Sequence, residues 1–267
     1  MSFTRREALL SAGALAAASV FPSPTVMAQE PVPPAQGVPA AAPEPICLAD
    51  FEPLAKAKMP AMGWEYINAG AGDELTVRWN KEAYQRIRLK PHVLVDVSKL
   101  DTRVTLFKQE HPFPILLAPT AAQKLTHPEG ELATARGASA AGAAMVLSSF
   151  SNTSLEDVAA VAKSPLWFQL YAQTDHGFTH DLVQRAEAGG YRVLCLTIDT
   201  PIAGARNRET RADVRLPNLP NLKGLKGIGS EGAVRTGSLD VFSSVLDAAL
   251  SWRAWSGCAL SLKFRCY

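Results

Sequence analysis

Residues 142–171, GAAMVLSSFSNTSLEDVAAVAKSPLWFQLY, contain the pattern that decides the fold. Two short apolar runs, GAAMVLSSF and LWFQLY, flank the amphipathic segment SLEDVAAVA, in which Ser154 is placed to cap a helix. A buried strand, a helix and a second buried strand in this order are typical of parallel strands covered by helices.

The same alternation continues on both sides of this stretch. FPILLAPT (113–120) precedes a helix predicted after HPEG (127–130), and YRVLCLTIDT (191–200) follows a helix predicted over HDLVQRAEAGG (180–190). Polar or small residues gather where the four predicted strands end: Pro119, Thr120, Ser148, Ser149, Gln169, Tyr171, Thr197 and Asp199. A (β/α)₈ barrel places its active site at that end of its strands.

A doubly wound sheet would also alternate strands and helices, but no GxGxxG turn follows the first predicted strand. We therefore predict an α/β fold, a (β/α)₈ TIM barrel of which about four strands are present. Two helices are expected before it. The first, DFEPLAKAKM (50–59), has Asp50 as its predicted N-cap, and the second, AMGWEYINAG (61–70), is expected to end at Gly70.

The N-terminus has the composition of an export signal. Arg5 and Arg6 precede an Ala-rich stretch too short for a stable membrane span, and Val26-Met27-Ala28 supplies small residues for cleavage. We predict a twin-arginine signal peptide over residues 1–28, hence a periplasmic protein, followed by a Pro/Ala-rich linker over 29–45. The alternative is a cytosolic chain that begins with an Ala-rich helix.

Composition excludes several other functions. The 267 residues are 47% hydrophobic and carry a net charge of +2, which suits one large domain and gives no dense basic run for nucleic acid. The four cysteines show no CxxC and no metal-ligand spacing. We therefore assign neither a disulfide framework nor a metal site.

Six stretches, in order and suitably spaced, resemble the FMN-dependent 2-hydroxy acid oxidases and dehydrogenases. They are EYINAGAGDELT, LAPTAAQKLTHPEGELATARGASAAG, LSSFSNTSLEDVA, FQLY, LTIDTP and GARNRE, and they cover roughly residues 50–250. The resemblance implies that the intact parent binds FMN and oxidises a small L-2-hydroxy acid to a 2-oxo acid. Electrons would pass to oxygen or another acceptor, and we expect the intact parent to be a homo-oligomer.

The resemblance also assigns the cofactor contacts. A flavin ring needs a wall that backbone can approach closely and polar groups at its pyrimidine edge. Pro119, Thr120 and Ala121 would form the wall, whereas Ser148, Gln169 and Thr197 would bind the pyrimidine side. Taken singly, each of these could be an ordinary capping group at a strand end.

For the substrate, the resemblance assigns Arg206 to the carboxylate, which a planar guanidinium can hold by two charge-assisted bonds. Tyr66 would bind the same carboxylate and Tyr171 would lie beside the substrate hydroxyl; without the resemblance, either could be a half-buried core residue. Arg208, two residues further on, is expected to form surface or loop ion pairs.

Two positions depart from glycolate oxidase: Phe150 replaces a Trp and Ile67 replaces a second Tyr, so the identity of the acid stays open. His127 matches a structural turn, and His111 is among the four other histidines expected in loops or at helix starts. The family base is a His in an SNHGxR segment, and a Lys on the fifth strand stabilises the reduced flavin. Neither segment occurs in the 267 residues, so we assign no catalytic residue.

Residues 253–267 read as a frameshifted tail. A single deleted base after Trp252 accounts for them, because the inferred codons in the other frame encode Glu-Trp-Leu-Arg and a final Leu-Leu, as the family continues. Residues 46–252 are then the N-terminal half of an FMN hydroxy acid dehydrogenase domain. We expect this chain to be an inactive truncated form, with a non-catalytic flavin-binding or inert barrel fragment as the alternative.

Overall fold

The computed structural model describes residues 44–199, 204–216, 218–225, 234–235 and 246–252. The predicted signal peptide, almost all of the linker and the predicted frameshifted tail lie outside these residues. Three helices come first in the chain: α1 (Leu48–Lys58), α2 (Ala61–Asn68) and α3 (Leu75–Arg86).

The starts and ends of the first helices differ from prediction by a few residues. The N-cap of α1 is Cys47, not Asp50. Asp50 is the third helical residue, and its carboxylate accepts the backbone N–H groups of Ile46 at 2.9 Å and Cys47 at 3.0 Å, which lowers its pKa. Helix α2 ends at Asn68, and the N–H of Gly70 donates instead to the carboxylate of Glu74 at 2.9 Å.

The central feature is a parallel sheet with helices between its strands. Strands β3 (Met145–Ser148), β4 (Leu166–Leu170) and β5 (Val193–Leu196) pair in sequence order, all parallel. The helices that alternate with them are α4 (Glu131–Ala141), α5 (Leu155–Val161) and α6 (His176–Ala188). The predicted alternation of strands and helices is therefore confirmed for these three strands, and Ser154 caps α5 by accepting the N–H of Asp157.

The first predicted strand, FPILLAPT, is reduced to one parallel bridge. Leu117 pairs with Met145, its N–H donating to the Ala144 carbonyl at 3.0 Å. Pro114 and Pro119 lack the N–H groups that a longer ladder would need. The segment nevertheless lies beside β3, so the four predicted strand positions keep the order of a parallel barrel.

The sheet has one face towards the helices and one towards a smaller cluster. Phe168 and Leu170 of β4 pack with the helices in the main core, whereas Trp167 belongs to the second cluster, with Val146 and Val193. Because side chains alternate along a strand, Gln169 lies on the same face as Trp167. This face leads to the strand ends where polar residues were predicted.

An unpredicted hairpin covers the other end of that face. It consists of β1 (Val104–Leu106) and β2 (Gln109–His111). The Phe107 ring lies edge-on to Trp167 at 5.1 Å, and Trp167 donates its indole N–H to Gln109 at 3.3 Å. The expectation of a loop or helix-start context for His111 is wrong: it ends β2 and is 2% exposed, packed against Trp167.

After β5 the chain forms shorter elements. They are α7 (Asn207–Arg211), β6 (Arg215–Leu216), a 3-10 turn at Pro220–Leu222 and β7 (Val234–Arg235), whereas another 3-10 turn, Gln123–Leu125, precedes α4. Among the helices of the described ranges, none is long and apolar enough to cross a membrane. In the same ranges no cluster of three or more His, Cys, Asp or Glu side chains could hold a metal ion.

Candidate active site

Ser148, Gln169 and Thr197 form a continuous hydrogen-bonded row across the ends of the three strands, hereafter the polar row. The Ser148 hydroxyl donates to the Gln169 side-chain oxygen at 3.1 Å, and the Gln169 amide donates to the Thr197 hydroxyl at 2.8 Å. Ser148 and Gln169 are each 3% exposed. The three residues that the resemblance assigned to one cofactor edge therefore meet in the structure.

The polar row has hydrogen-bond donors that no described residue uses. Among the described residues, Gln169 uses one of its two amide hydrogens and Thr197 donates its hydroxyl hydrogen to no acceptor. The pyrimidine edge of a flavin presents carbonyl and ring-nitrogen acceptors. The chemistry of this donor set therefore fits the ring of FMN.

The predicted wall, Pro119 to Ala121, lies next to the polar row. Pro119 and Thr120 are exposed and Ala121 is partly buried against the main core. The following residue, Ala122, donates its N–H to the Phe150 carbonyl at 3.0 Å, which fixes this segment to the loop after β3. Backbone is thus open to a planar ligand beside the amide and hydroxyl groups.

The predicted substrate residues come from three separate elements, α2, the end of β4 and the start of α7. Burial is the main cause that raises the pKa values of both Tyr66 and Tyr171, and the positive charge of Arg206 opposes the rise in each. Arg206 is therefore within electrostatic range of both tyrosines. The Phe150 ring lies 5.1 Å from that of Tyr171, whereas Ile67 is 44% exposed.

Arg206 is held by only one of its terminal nitrogens. Its Nη1 donates to the Ala69 carbonyl and to the buried Glu209 carboxylate, both at 3.1 Å. Its other N–H groups bond to no described residue, and 43% of the side chain is exposed. A carboxylate ligand can therefore reach the guanidinium.

Arg208 differs in pairing with two carboxylates from other elements, whereas Arg206 pairs with one from α7. The Nε of Arg208 lies 2.6 Å from Glu65 and its Nη1 lies 3.1 Å from Glu74, so it ties α7 to α2 and to the start of α3. These ion pairs raise the pKa of Arg208. The expectation that Arg208 forms ion pairs is confirmed, and the two arginines have different surroundings.

A glycine brings α2 close to the loop that carries the wall. A Cβ added to Gly63 would lie 2.1 Å from the Leu125 carbonyl oxygen, so only glycine fits there. The close approach lets Tyr66 pack against the main core near the strand ends.

The comparisons with known proteins agree with this geometry. Residues 55–259 match the family model described as FMN-dependent dehydrogenase. The chain belongs to this family. Its members are FMN-dependent 2-hydroxy acid oxidases, so the resemblance recognised in the sequence is confirmed.

Two relatives show how far the similarity extends. An L-lactate oxidase of Nostoc sp. is 43% identical over 218 residues, which cover 78% of this chain and 59% of the relative. Glycolate oxidase 1 of Zea mays is 39% identical over 207 residues, 76% of this chain and 56% of the relative. The chain thus spans less than two thirds of the length of either relative.

Solved structures of the family give the same result for the fold. A mandelate oxidase with (S)-4-hydroxymandelic acid superposes with a TM-score of 0.74 and 32% identity, over 81% of this chain and 61% of that one. A flavocytochrome b2 variant gives a TM-score of 0.68 and 30% identity, over 81% of this chain and 51% of that one. The α/β fold therefore matches part of the TIM barrel of these proteins.

Sequence reasoning overlooked two buried carboxylates. Glu209 holds Arg206, and Glu131, which is 0% exposed, accepts hydrogen bonds from the loops beside the polar row. The motifs HPEGE and RNRE contained both residues, but acidic residues in such contexts usually lie at the surface. His127, in the first motif, lies in a turn and accepts the N–H of Glu129, as predicted.

Proposed function

We propose that the intact protein oxidises an L-2-hydroxy acid to the 2-oxo acid with FMN as its cofactor. The observation that carries the proposal is the meeting of the polar row with a half-exposed arginine and two tyrosines at the ends of parallel strands. Membership of the FMN-dependent dehydrogenase family supports it. The relatives named for lactate, glycolate and mandelate support a small 2-hydroxy acid as the substrate class.

Each residue has a distinct part in this proposal. Ser148, Gln169 and Thr197 would hold the pyrimidine edge of FMN, and the backbone of Pro119 to Ala121 would lie against the ring. When bound, FMN supplies the two-electron acceptor that protein side chains lack. These contacts would fix the ring at the strand ends.

Charge and burial support the substrate side of the proposal. The free N–H groups of Arg206 would bind the carboxylate of the acid, and Tyr66 would add a hydrogen bond to it. Tyr171 would orient the substrate hydroxyl. Because burial raises the pKa values of both tyrosines, each stays a neutral hydrogen-bond donor near neutral pH.

The test uses the restored chain, a protein in which the base predicted to be missing after Trp252 is reinserted and the remaining family segments are encoded after it. We expect it to purify yellow and to bleach under nitrogen with one or more acids from a panel of lactate, glycolate, mandelate and longer 2-hydroxy acids. Reoxidation by oxygen or by dyes then identifies the acceptor. A restored chain that takes up no FMN would rule out the proposal.

We also propose that the 267-residue chain by itself does not turn over. The SNHGxR segment and the fifth-strand lysine assigned by resemblance do not occur in its sequence. The second candidate function, a non-catalytic flavin-binding fragment, is supported by the polar row, which needs none of those residues. FMN binding without bleaching by any acid would favour the fragment, whereas oxidation of a hydroxy acid by this chain would overturn the proposal.

Export through the twin-arginine route is a separate proposal, supported by Arg5 and Arg6 and by the small residues that end at Ala28. Fractionation of bacteria that express the restored chain should place it in the periplasm. Replacement of both arginines by lysine should retain it in the cytoplasm. If the restored chain and the double lysine variant divide equally between periplasm and cytoplasm, the export signal is refuted.

A further inference from the structure

The buried carboxylate of Glu131 lies at a junction of two loops. Glu131 begins α4 and is 0% exposed. Its Oε1 accepts the backbone N–H groups of Gln123 at 3.1 Å and Asn152 at 2.9 Å. Its Oε2 accepts the hydroxyl of Thr153 at 2.8 Å. One side chain thus binds the segment after the wall and the loop after β3.

Further bonds tie the same two loops together. The side-chain oxygen of Asn152 accepts the N–H of Lys124 at 3.1 Å, and Ala122 donates its N–H to Phe150 at 3.0 Å. The wall residues Pro119 to Ala121 come immediately before one set of these contacts. Phe150, which packs on Tyr171, comes immediately before the other. The network therefore joins the segment that continues from the cofactor wall to the loop that carries Phe150.

Three hydrogen-bond donors converge at the position of Glu131, so the side chain there must be able to accept several hydrogen bonds. An ionised carboxylate has about four lone-pair sites and no hydrogen, so it suits three converging donors. Backbone N–H groups buried without an acceptor are costly, so loss of the side chain would release both loops to find other partners. Gly130 brings α4 to this point, because it has φ +48° and an added Cβ would lie 3.1 Å from the Lys124 nitrogen.

We propose that Glu131 is a positioning residue that sets the cofactor wall by holding the 119–126 and 150–153 loops in one arrangement. The inference rests on the proposed function of the site. A wall held in place before the ligand arrives costs less free energy to bind it. Glu131 therefore contributes to FMN affinity without touching FMN.

The experiment compares FMN affinity of the apo form of the restored chain with that of three variants, by quenching of flavin fluorescence. Glu131→Ala should weaken FMN binding about tenfold or more, because it leaves buried donors unpaired. Glu131→Gln keeps an acceptor oxygen for the two N–H groups and should stay within about threefold of the parent. Tyr191→Phe removes a different buried hydrogen bond, from the Tyr191 hydroxyl to the Leu155 carbonyl, and should leave FMN affinity unchanged.

Hydrogen exchange of the same proteins without FMN gives a second readout. The amides of Gln123 and Asn152 should lose protection in Glu131→Ala and keep it in Tyr191→Phe. If Glu131→Ala does not fold, Thr153→Val replaces it, and about threefold weaker FMN binding is expected from the loss of one bond. A parent that binds no FMN contradicts the proposed function. If the parent binds FMN and Glu131→Ala, or Thr153→Val in its place, has the same FMN affinity as the parent or as Tyr191→Phe, the proposed role of Glu131 is wrong.

Discussion

The polar row and the Tyr66–Arg206 group lie at the same end of the sheet but are built in different ways. Ser148 and Gln169 are 3% exposed and sit opposite each other in the register of β3 and β4. Arg206 leaves 43% of its side chain exposed and reaches the site from α7, which ion pairs of Arg208 attach to α2 and α3. The first region depends on backbone pairing, and the second depends on side chains that bridge distant segments.

This difference separates the expected consequences of mutation. Loss of a buried, paired amide leaves its partners without a hydrogen bond, and water cannot reach them to replace it. Both stability and cofactor binding should therefore fall. Replacement of the half-exposed Arg206 by lysine keeps a positive charge beside the buried Glu209, so ligand binding should fall with little change in stability. The predictions below test that separation in the restored chain, from the largest expected effect to the smallest.

Gln169→Leu should have the largest effect. It removes the central amide of the polar row, and we expect the free energy of unfolding to fall by about 3 kcal/mol, with FMN binding lost. Urea unfolding of the apoprotein and flavin titration measure both. The matched control is Gln173→Leu, since Gln173 is also buried but lies outside the polar row: its amide donates to the Tyr171 carbonyl at 2.8 Å, and its side-chain oxygen has no partner among the described residues. Equal losses in the two variants would contradict the special role of Gln169.

Arg206→Lys should weaken recognition of the hydroxy acid and leave FMN binding and stability nearly unchanged. A two-bond contact becomes a point charge, and loss of a charge-assisted bond costs about 1.5–3 kcal/mol, roughly ten- to a hundredfold in kcat/KM. FMN affinity and the urea midpoint should change little. Steady-state kinetics on the substrate found in the panel provide the measurement.

Arg208→Lys tests the other arginine. Lysine cannot hold Glu65 and Glu74 in the same fork geometry, so the unfolding free energy should fall by about 1 kcal/mol. A smaller loss of kcat/KM than in Arg206→Lys should follow from displacement of α7. Arg185→Lys, in a remote ion pair with Glu156, is the control and should leave kcat/KM unchanged. A silent Arg206→Lys together with a damaging Arg208→Lys would reverse the assignment of the carboxylate-binding residue.

Glu74 should give the smallest effect, visible as a dependence of stability on pH. The N–H of Gly70, followed by Arg208, lowers the pKa of Glu74 from its ordinary value of 4.5. A depressed folded-state pKa contributes stability above the unfolded-state pKa, and this contribution is lost as the pH falls through the folded-state pKa.

Urea midpoints of the restored chain and Glu74→Gln should therefore differ at pH 7, begin to converge below the ordinary pKa of Glu74, and meet below its lower folded-state pKa. A difference that stays constant from neutral to strongly acidic pH would show that the charge of Glu74 does not stabilise the contact between α7 and α3.

The fold was predictable where a segment has a clear hydrophobic periodicity. Apolar runs with helices between them identified β3, β4 and β5, and the N-cap function of Ser154 followed from residue type alone. The hairpin of β1 and β2 was not predicted, because each strand has three residues and its partner Trp167 lies about 60 positions away in the sequence. Asp50 was misplaced because an acidic residue is favoured both as a cap and in the first turn.

Within the site, residue type and strand position already indicated Ser148, Gln169 and Thr197, and the register then aligned them, because parallel pairing brings the carboxyl ends of strands together. Only the tertiary structure showed the surroundings of Arg206 and Arg208, since each guanidinium has the same chemistry and each binds at least one group from more than 100 residues earlier. Only the tertiary structure buried Glu131 between the loops that contain Gln123 and Asn152. Sequence alone determined β3, β4, β5, the helices between them and their polar ends through local periodicity, whereas long-range packing decided which charges are buried and which groups pair with them.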